Sequence, residues 1–113
     1  MISGGGTTLE NLIERIADGR LRNVEIVAVI SSRRDVRGVE IARRAGFEPA
    51  IIRPKDFHAV AAFSDAIAAA LDASRADLVA MAGFLCLWRI PPRYSGRVLN
   101  IHPALLPGRP TSG

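Results

Sequence analysis

A chain of 113 residues has room for one small domain and not two. With 49% apolar and 23% charged residues it is neither a disordered tract nor a membrane span, since the uncharged run over residues 78–88 is too short to cross a bilayer. The net charge of +4 is scattered rather than gathered into a block with aromatics, which argues against nucleic acid and suits a phosphorylated or polycarboxylated small molecule.

The chain opens with Ser3-Gly4-Gly5-Gly6-Thr7-Thr8, where glycines permit positive φ and amides facing an anion. Leu9, Leu12, Ile13, Ile16 and Ala17 then recur at helical spacing, Thr7 with Glu10 reads as a capping box, and Asp18-Gly19 closes the helix. A glycine turn feeding a helix start is a phosphate site by amide geometry and dipole. Residues 25–30 form a β-branched run typical of a strand buried on both faces, and residues 31–35 are loop. The spacing predicts a helix over 36–45, with Val39, Ile41, Ala42 and Ala45 inward and Gly46 just past its end. Residues 49–52 make a second strand, and a long helix over about 59–73 buries Phe63, Ile67, Ala70 and Leu71. The third strand, 78–82, stops at Gly83; a short helical piece over 85–90 stops at Pro91-Pro92; residues 97–101 are the fourth strand.

Strands alternating with helices make βαβ units and a mainly parallel sheet, whose ligands bind beyond the carboxyl ends of the strands. Glycine loops of this kind follow a buried strand, yet only Met1 and Ile2 stand before this one, and a polar tail follows Pro107. Both edges look cut, and the chain is expected to be part of a larger domain. There is no signal-peptide pattern at the start. The single cysteine, Cys86, cannot form an internal disulfide, so a reducing cytoplasm is the default, and no Cys/His spacing suggests a metal.

The fourth strand carries Leu99-Asn100-Ile101-His102-Pro103. Period-two alternation sends Asn100 and His102 to one side and Leu99 and Ile101 into a core. An amide donor and a titratable base presented together can hold an oxyanion and move a proton near neutral pH. Other chemistries fail on residues. The third position of the dinucleotide fingerprint is Leu9, no acid follows strand 25–30, and no Gly-Lys-Ser/Thr is present. Ser3, Ser31, Ser64 and Ser95 lack a nucleophile elbow. Cys86 reads as a buried thiol, His58 as a solvated residue at a helix start, and Trp88 as core or pocket wall.

Three segments in order, residues 2–9, 77–84 and 96–107, resemble the folate-dependent phosphoribosylglycinamide formyltransferases of purine synthesis. The resemblance implies an α/β, Rossmann-like, doubly wound formyltransferase fold. Residues 1–113 would be an incomplete N-terminal domain lacking its first strand and C-terminal part. It implies transfer of a formyl group from 10-formyltetrahydrofolate to the amine of glycinamide ribonucleotide. Gly6, Thr7 and Thr8 would hold the substrate phosphate, and Leu85, Cys86, Leu87 and Trp88 would line the folate pocket. Asn100 would bind the formyl oxygen, and His102 would be the proton donor and acceptor. The partners implied are small molecules, with no nucleic acid, membrane or metal, and a monomer or weak homodimer.

Two positions depart from that family. Val60 stands where a basic residue contacts folate, and Asp77 is the last acid, so the catalytic aspartate of a later segment has no counterpart. With its first strand and that acid both taken as absent, the isolated chain is expected to show negligible transformylase activity. A 10-formyltetrahydrofolate hydrolase, a methionyl-tRNA formyltransferase and a non-catalytic phosphate-binding module remain alternatives on sequence alone.

Overall fold

The computed structural model describes residues 1–101. Helix α1 (Thr7–Ala17) starts from Gly6, whose φ of 74° is left-handed. The capping box is not formed: Thr7 is already helical, and no side chain caps the end. The reason is close packing against helix α2 (Arg37–Arg44), where a Cβ on Gly6 would stand 2.5 Å from the Gly38 Cα. The Gly38 amide also donates to the Gly4 carbonyl at 3.0 Å, so the two helix starts are locked through backbone. Leu9 is buried as its spacing predicts, Leu12, Ile13 and Ile16 are half-buried, and Ala17 is exposed.

Strands β1 (Ile30–Ser31) and β2 (Ala50–Ile51) pair in parallel, as do β3 (Val79–Met81) and β4 (Val98–Asn100). Between the pairs lie Met1 and Ile2. The Ile2 amide donates to Ile30 O at 2.8 Å, and Ile2 O accepts from the Ser32 amide at 3.0 Å. On the other side the Met1 amine donates to Ala80 O at 2.6 Å, and Met1 O accepts from the Ala82 amide at 2.9 Å. The two residues taken as mere remnants of a missing strand thus occupy the central strand's place. The spatial order is β2–β1–Met1/Ile2–β3–β4.

Helices cover both faces, which makes the sheet doubly wound. On one side α3 (Val60–Ser74) brings Phe63, Ile67 and Leu71 against Ile30, Val79, Phe84, Trp88 and Tyr94. On the other, Ile2, Leu9, Val29, Ala42 and Ala82 form a second core under α1 and α2. Each large side chain so buried contributes about 1.5–3 kcal/mol. A turn at Pro92–Tyr94 is tied to α3 by Asp72, which accepts from Arg93 at 2.6 and 3.0 Å and from the Tyr94 hydroxyl at 2.7 Å. These hydrogen bonds, Arg93 first and then Tyr94, hold the Asp72 carboxyl below its usual range.

Four local expectations are corrected. Strand 25–30 shrinks to Ile30–Ser31, with Val24 and Val27 exposed, because no strand among the described residues pairs with the earlier part of the run. Ala45 is exposed, since α2 ends at Arg44. Residues 85–90 are not helical: Phe84 and Trp88 are buried and Cys86 half-buried, while Leu85 and Leu87 face out, the period-two alternation of extended chain. Leu99 is half exposed rather than core, because it shares a face with its partner Ala80 beyond the reach of α1 and α2.

Candidate functional site at the carboxyl edge of the sheet

The glycine loop leaves Met1/Ile2 and turns into α1. Its first helical bond runs from the Glu10 amide to Gly6 O at 2.8 Å, so the amides of residues 7–9 have no acceptor within the helix. Gly5 and Thr7 are exposed, while Gly6 and Thr8 are buried. The loop is held from below by Ser3. Its Oγ accepts from the Ser32 hydroxyl at 2.6 Å and from the Leu85 amide at 2.9 Å, with both serines buried.

The segment after β3 runs extended past this serine. Leu85 and Leu87 are 79% and 81% exposed, an outward apolar pair. Trp88 lies inward, its indole N–H donating to Met81 Sδ at 3.5 Å, and Cys86 is half-buried. The Arg89 amide donates to the buried Ser64 Oγ at 2.7 Å, which fixes the far end of the segment on α3.

Asn100 ends β4, exposed, in register with Met81, and the next amide, Ile101, donates to Met81 O at 3.1 Å. Residues paired across a ladder share a face. Asn100 therefore emerges on the side of Met81 and the Trp88 indole. His102 lies outside the described residues. His58 is exposed just before α3.

Gly6, Thr7, Thr8, Leu85, Cys86, Leu87 and Asn100 thus gather beyond the carboxyl ends of parallel strands, while Trp88 supports the segment from inside. Ser3 and Ser64 were set aside as failed nucleophiles, and Ser32 was read only as part of a loop. They are instead the hydroxyls that stitch the loops together, over sequence separations of 29, 82 and 25 residues that no local spacing reveals. Among the described residues no group of His, Cys, Asp and Glu is arranged to hold a metal, and no helix is long and apolar enough to cross a membrane.

This glycine loop, exposed apolar segment and terminal asparagine lie within residues 1–109, which match the formyl transferase family. The chain belongs to that family. It is 34% identical over 109 residues to the phosphoribosylglycinamide formyltransferase of Haemophilus influenzae, covering 95% of this chain and 51% of the relative. It is 36% identical over 113 residues to the trifunctional purine biosynthetic protein adenosine-3 of Drosophila pseudoobscura pseudoobscura, covering 97% of this chain but 8% of that one. Among solved structures, glycinamide ribonucleotide transformylase 1 from Symbiobacterium toebii superposes with a TM-score of 0.79 at 40% identity, covering 95% of this chain and 51% of that one. Phosphoribosylglycinamide formyltransferase from Brucella melitensis gives 0.79 at 41%, covering 96% and 57%. The formyl transferase chain described here spans about half the length of such single-function relatives.

Proposed function

We propose that this chain serves formyl transfer from 10-formyltetrahydrofolate to the amine of glycinamide ribonucleotide, in the cytoplasm and without a metal. The observation that carries the reading is the convergence at one sheet edge of helix-start amides without an acceptor in the helix, an outward apolar segment and the Asn100 amide, in a chain of the formyl transferase family. The amides at the start of α1, around Gly6, Thr7 and Thr8, receive the phosphate of the acceptor. Leu85 and Leu87 receive the folate ring system, with Cys86 and Trp88 beneath. Attack of the amine on the formyl carbon places negative charge on the formyl oxygen and positive charge on the attacking nitrogen. Asn100 donates a hydrogen bond to that oxygen. His102 takes the proton from the nitrogen and returns it to the departing folate nitrogen. Only small molecules are bound, by a monomer or weak homodimer.

The test joins this chain to the remaining C-terminal segment of the Brucella melitensis relative and follows formyl transfer. Turnover is expected to depend on glycinamide ribonucleotide, and Asn100→Ala is expected to lower kcat by roughly 10²–10³. Formate release that ignores glycinamide ribonucleotide would turn the reading to a hydrolase. Acceptor binding without any formyl chemistry would reduce it to a phosphate-binding module.

A further inference from the structure

Two helix starts meet beside the glycine loop. A Cβ on Gly38 would stand 3.3 Å from the Gly6 Cα, and the Gly38 amide is taken up by Gly4 O at 3.0 Å. Arg37, the first residue of α2, is therefore held by its backbone against the loop that feeds α1. Its guanidinium reaches across to α1, where Nη2 lies 3.6 Å from Glu10 Oε2. Glu10 belongs to the first turn, and its own amide closes that turn on Gly6 O at 2.8 Å. The cation thus stands beside the one turn whose amides, those of residues 7–9, have no acceptor within the helix.

The stability of α2 does not account for an arginine there. A cation at a helix N-terminus opposes the macrodipole. Glu40, three residues on, is a partner for Arg37 by spacing, yet it pairs with Arg44 at 2.7 Å. The pair that Arg37 does make is long and open to water, with the arginine side chain 64% and the glutamate 43% exposed. Arg53 and Arg93 each hold a carboxylate through two hydrogen bonds of 2.6–3.0 Å. The Arg37 guanidinium makes no hydrogen bond to a described residue. Such a pair contributes little, and its members part readily.

Glu10 supplies the complementary reason. Its carboxylate suits the positive end of α1, but an anion received by the same amides meets it as a like charge one turn away. A guanidinium resting on Glu10 offsets that repulsion. A phosphate, with more charge and several acceptor oxygens, is the stronger partner for a planar five-donor group.

We infer that Arg37 leaves Glu10 to bind the phosphate of the acceptor, and so sets the preference for a ribonucleotide over its dephosphorylated riboside. The inference rests on the reading of Gly6, Thr7 and Thr8 as the phosphate-holding segment. It deepens that reading by adding a side-chain cation, supplied from α2, to a site otherwise made of main-chain amides.

Calorimetry on the 113-residue chain would compare glycinamide ribonucleotide with glycinamide riboside, which lacks the phosphate. The ratio of the two affinities should fall roughly threefold to tenfold in Arg37→Ala at low salt, and by less as salt rises. Because both ligands meet the same protein, any loss of folded chain cancels from the ratio. Arg37→Lys should keep a larger ratio than Arg37→Ala. Glu10→Gln should raise the ratio, and Arg37→Ala should still lower it in that background. A ratio untouched by Arg37→Ala, or restored in full by Glu10→Gln, would overturn the inference while leaving the phosphate reading intact. Equal binding of the two ligands by the unsubstituted chain would end both. If neither ligand binds, the acceptor reading fails, and inorganic phosphate then decides Arg37. Phosphate binding weakened in Arg37→Ala sustains the cation's role, and no phosphate binding, or binding the variant leaves unchanged, ends it.

Discussion

Met1 places a titratable amine where a sheet would carry an amide. Its amine lies between β1 and β3, donating to Ala80 O at 2.6 Å, and burial lowers its pKa from 8.0 to about 6. The unfolded amine keeps its proton up to about pH 8, and the folded one only up to about pH 6. Between those values the unfolded state binds more protons, so stability rises with pH, by up to about 2–3 kcal/mol across the window. Urea midpoints measured at pH 6 and pH 8.5 should show the higher value at pH 8.5; the reverse order would contradict the buried amine. Ser3 is the second residue with a consequence out of proportion to its size. Ser3→Ala leaves the Leu85 amide and the Ser32 hydroxyl without their acceptor, a loss of about 1–3 kcal/mol visible as a lowered urea midpoint. The same change unties the glycine loop from the segment after β3, so if the proposed formyl transfer holds, the KM values of both proposed substrates should rise together in the chain joined to the Brucella melitensis segment.

At the scale of elements, glycine decides how α1 and α2 meet. Gly6→Ala would put a Cβ 2.5 Å from the Gly38 Cα at a residue with φ of 74°, so both packing and backbone resist it. A cost of roughly 1–3 kcal/mol is expected, together with weaker acceptor binding, because the amides at the start of α1 move with the loop. Thermal unfolding with calorimetric binding checks both, and a fully stable variant would show that the helix starts are not locked. Element types were mostly legible in the sequence: the helices over Thr7–Ala17, Arg37–Arg44 and Val60–Ser74 follow their apolar periods closely. The segment after Gly83 was not. Its residues, Leu85 to Ile90, fit a buried helix turn or an extended wall equally well. Tethers at Ser3 and Ser64, on distant parts of the chain, select the extended form.

At the scale of the whole molecule, several of the exposed apolar side chains among the described residues lie at or beside the strands. Val24 and Val27 precede β1, Leu78 precedes β3, and Leu99 lies on β4, each 47–63% exposed. Exposed strand ends of this kind invite edge pairing between copies. Val27→Lys with Leu78→Lys should therefore suppress concentration-dependent association in light scattering without lowering the urea midpoint by more than about 0.5 kcal/mol. Association unaffected by the pair would place the sticky surface elsewhere. The sequence by itself determined the α/β class, the parallel sheet, the helical faces and the edge at which the candidate site residues lie. Hydrophobic period and glycine placement are local properties, readable in one dimension. Only the tertiary structure decided that Met1 and Ile2 stand as the central strand and that Ser3 joins two loops 29 and 82 residues away. It alone also showed that Arg37 of α2 reaches across to the first turn of α1. Those depend on which groups find hydrogen-bond and charge partners across the sheet, and such pairing is set by the fold as a whole rather than by spacing along the chain.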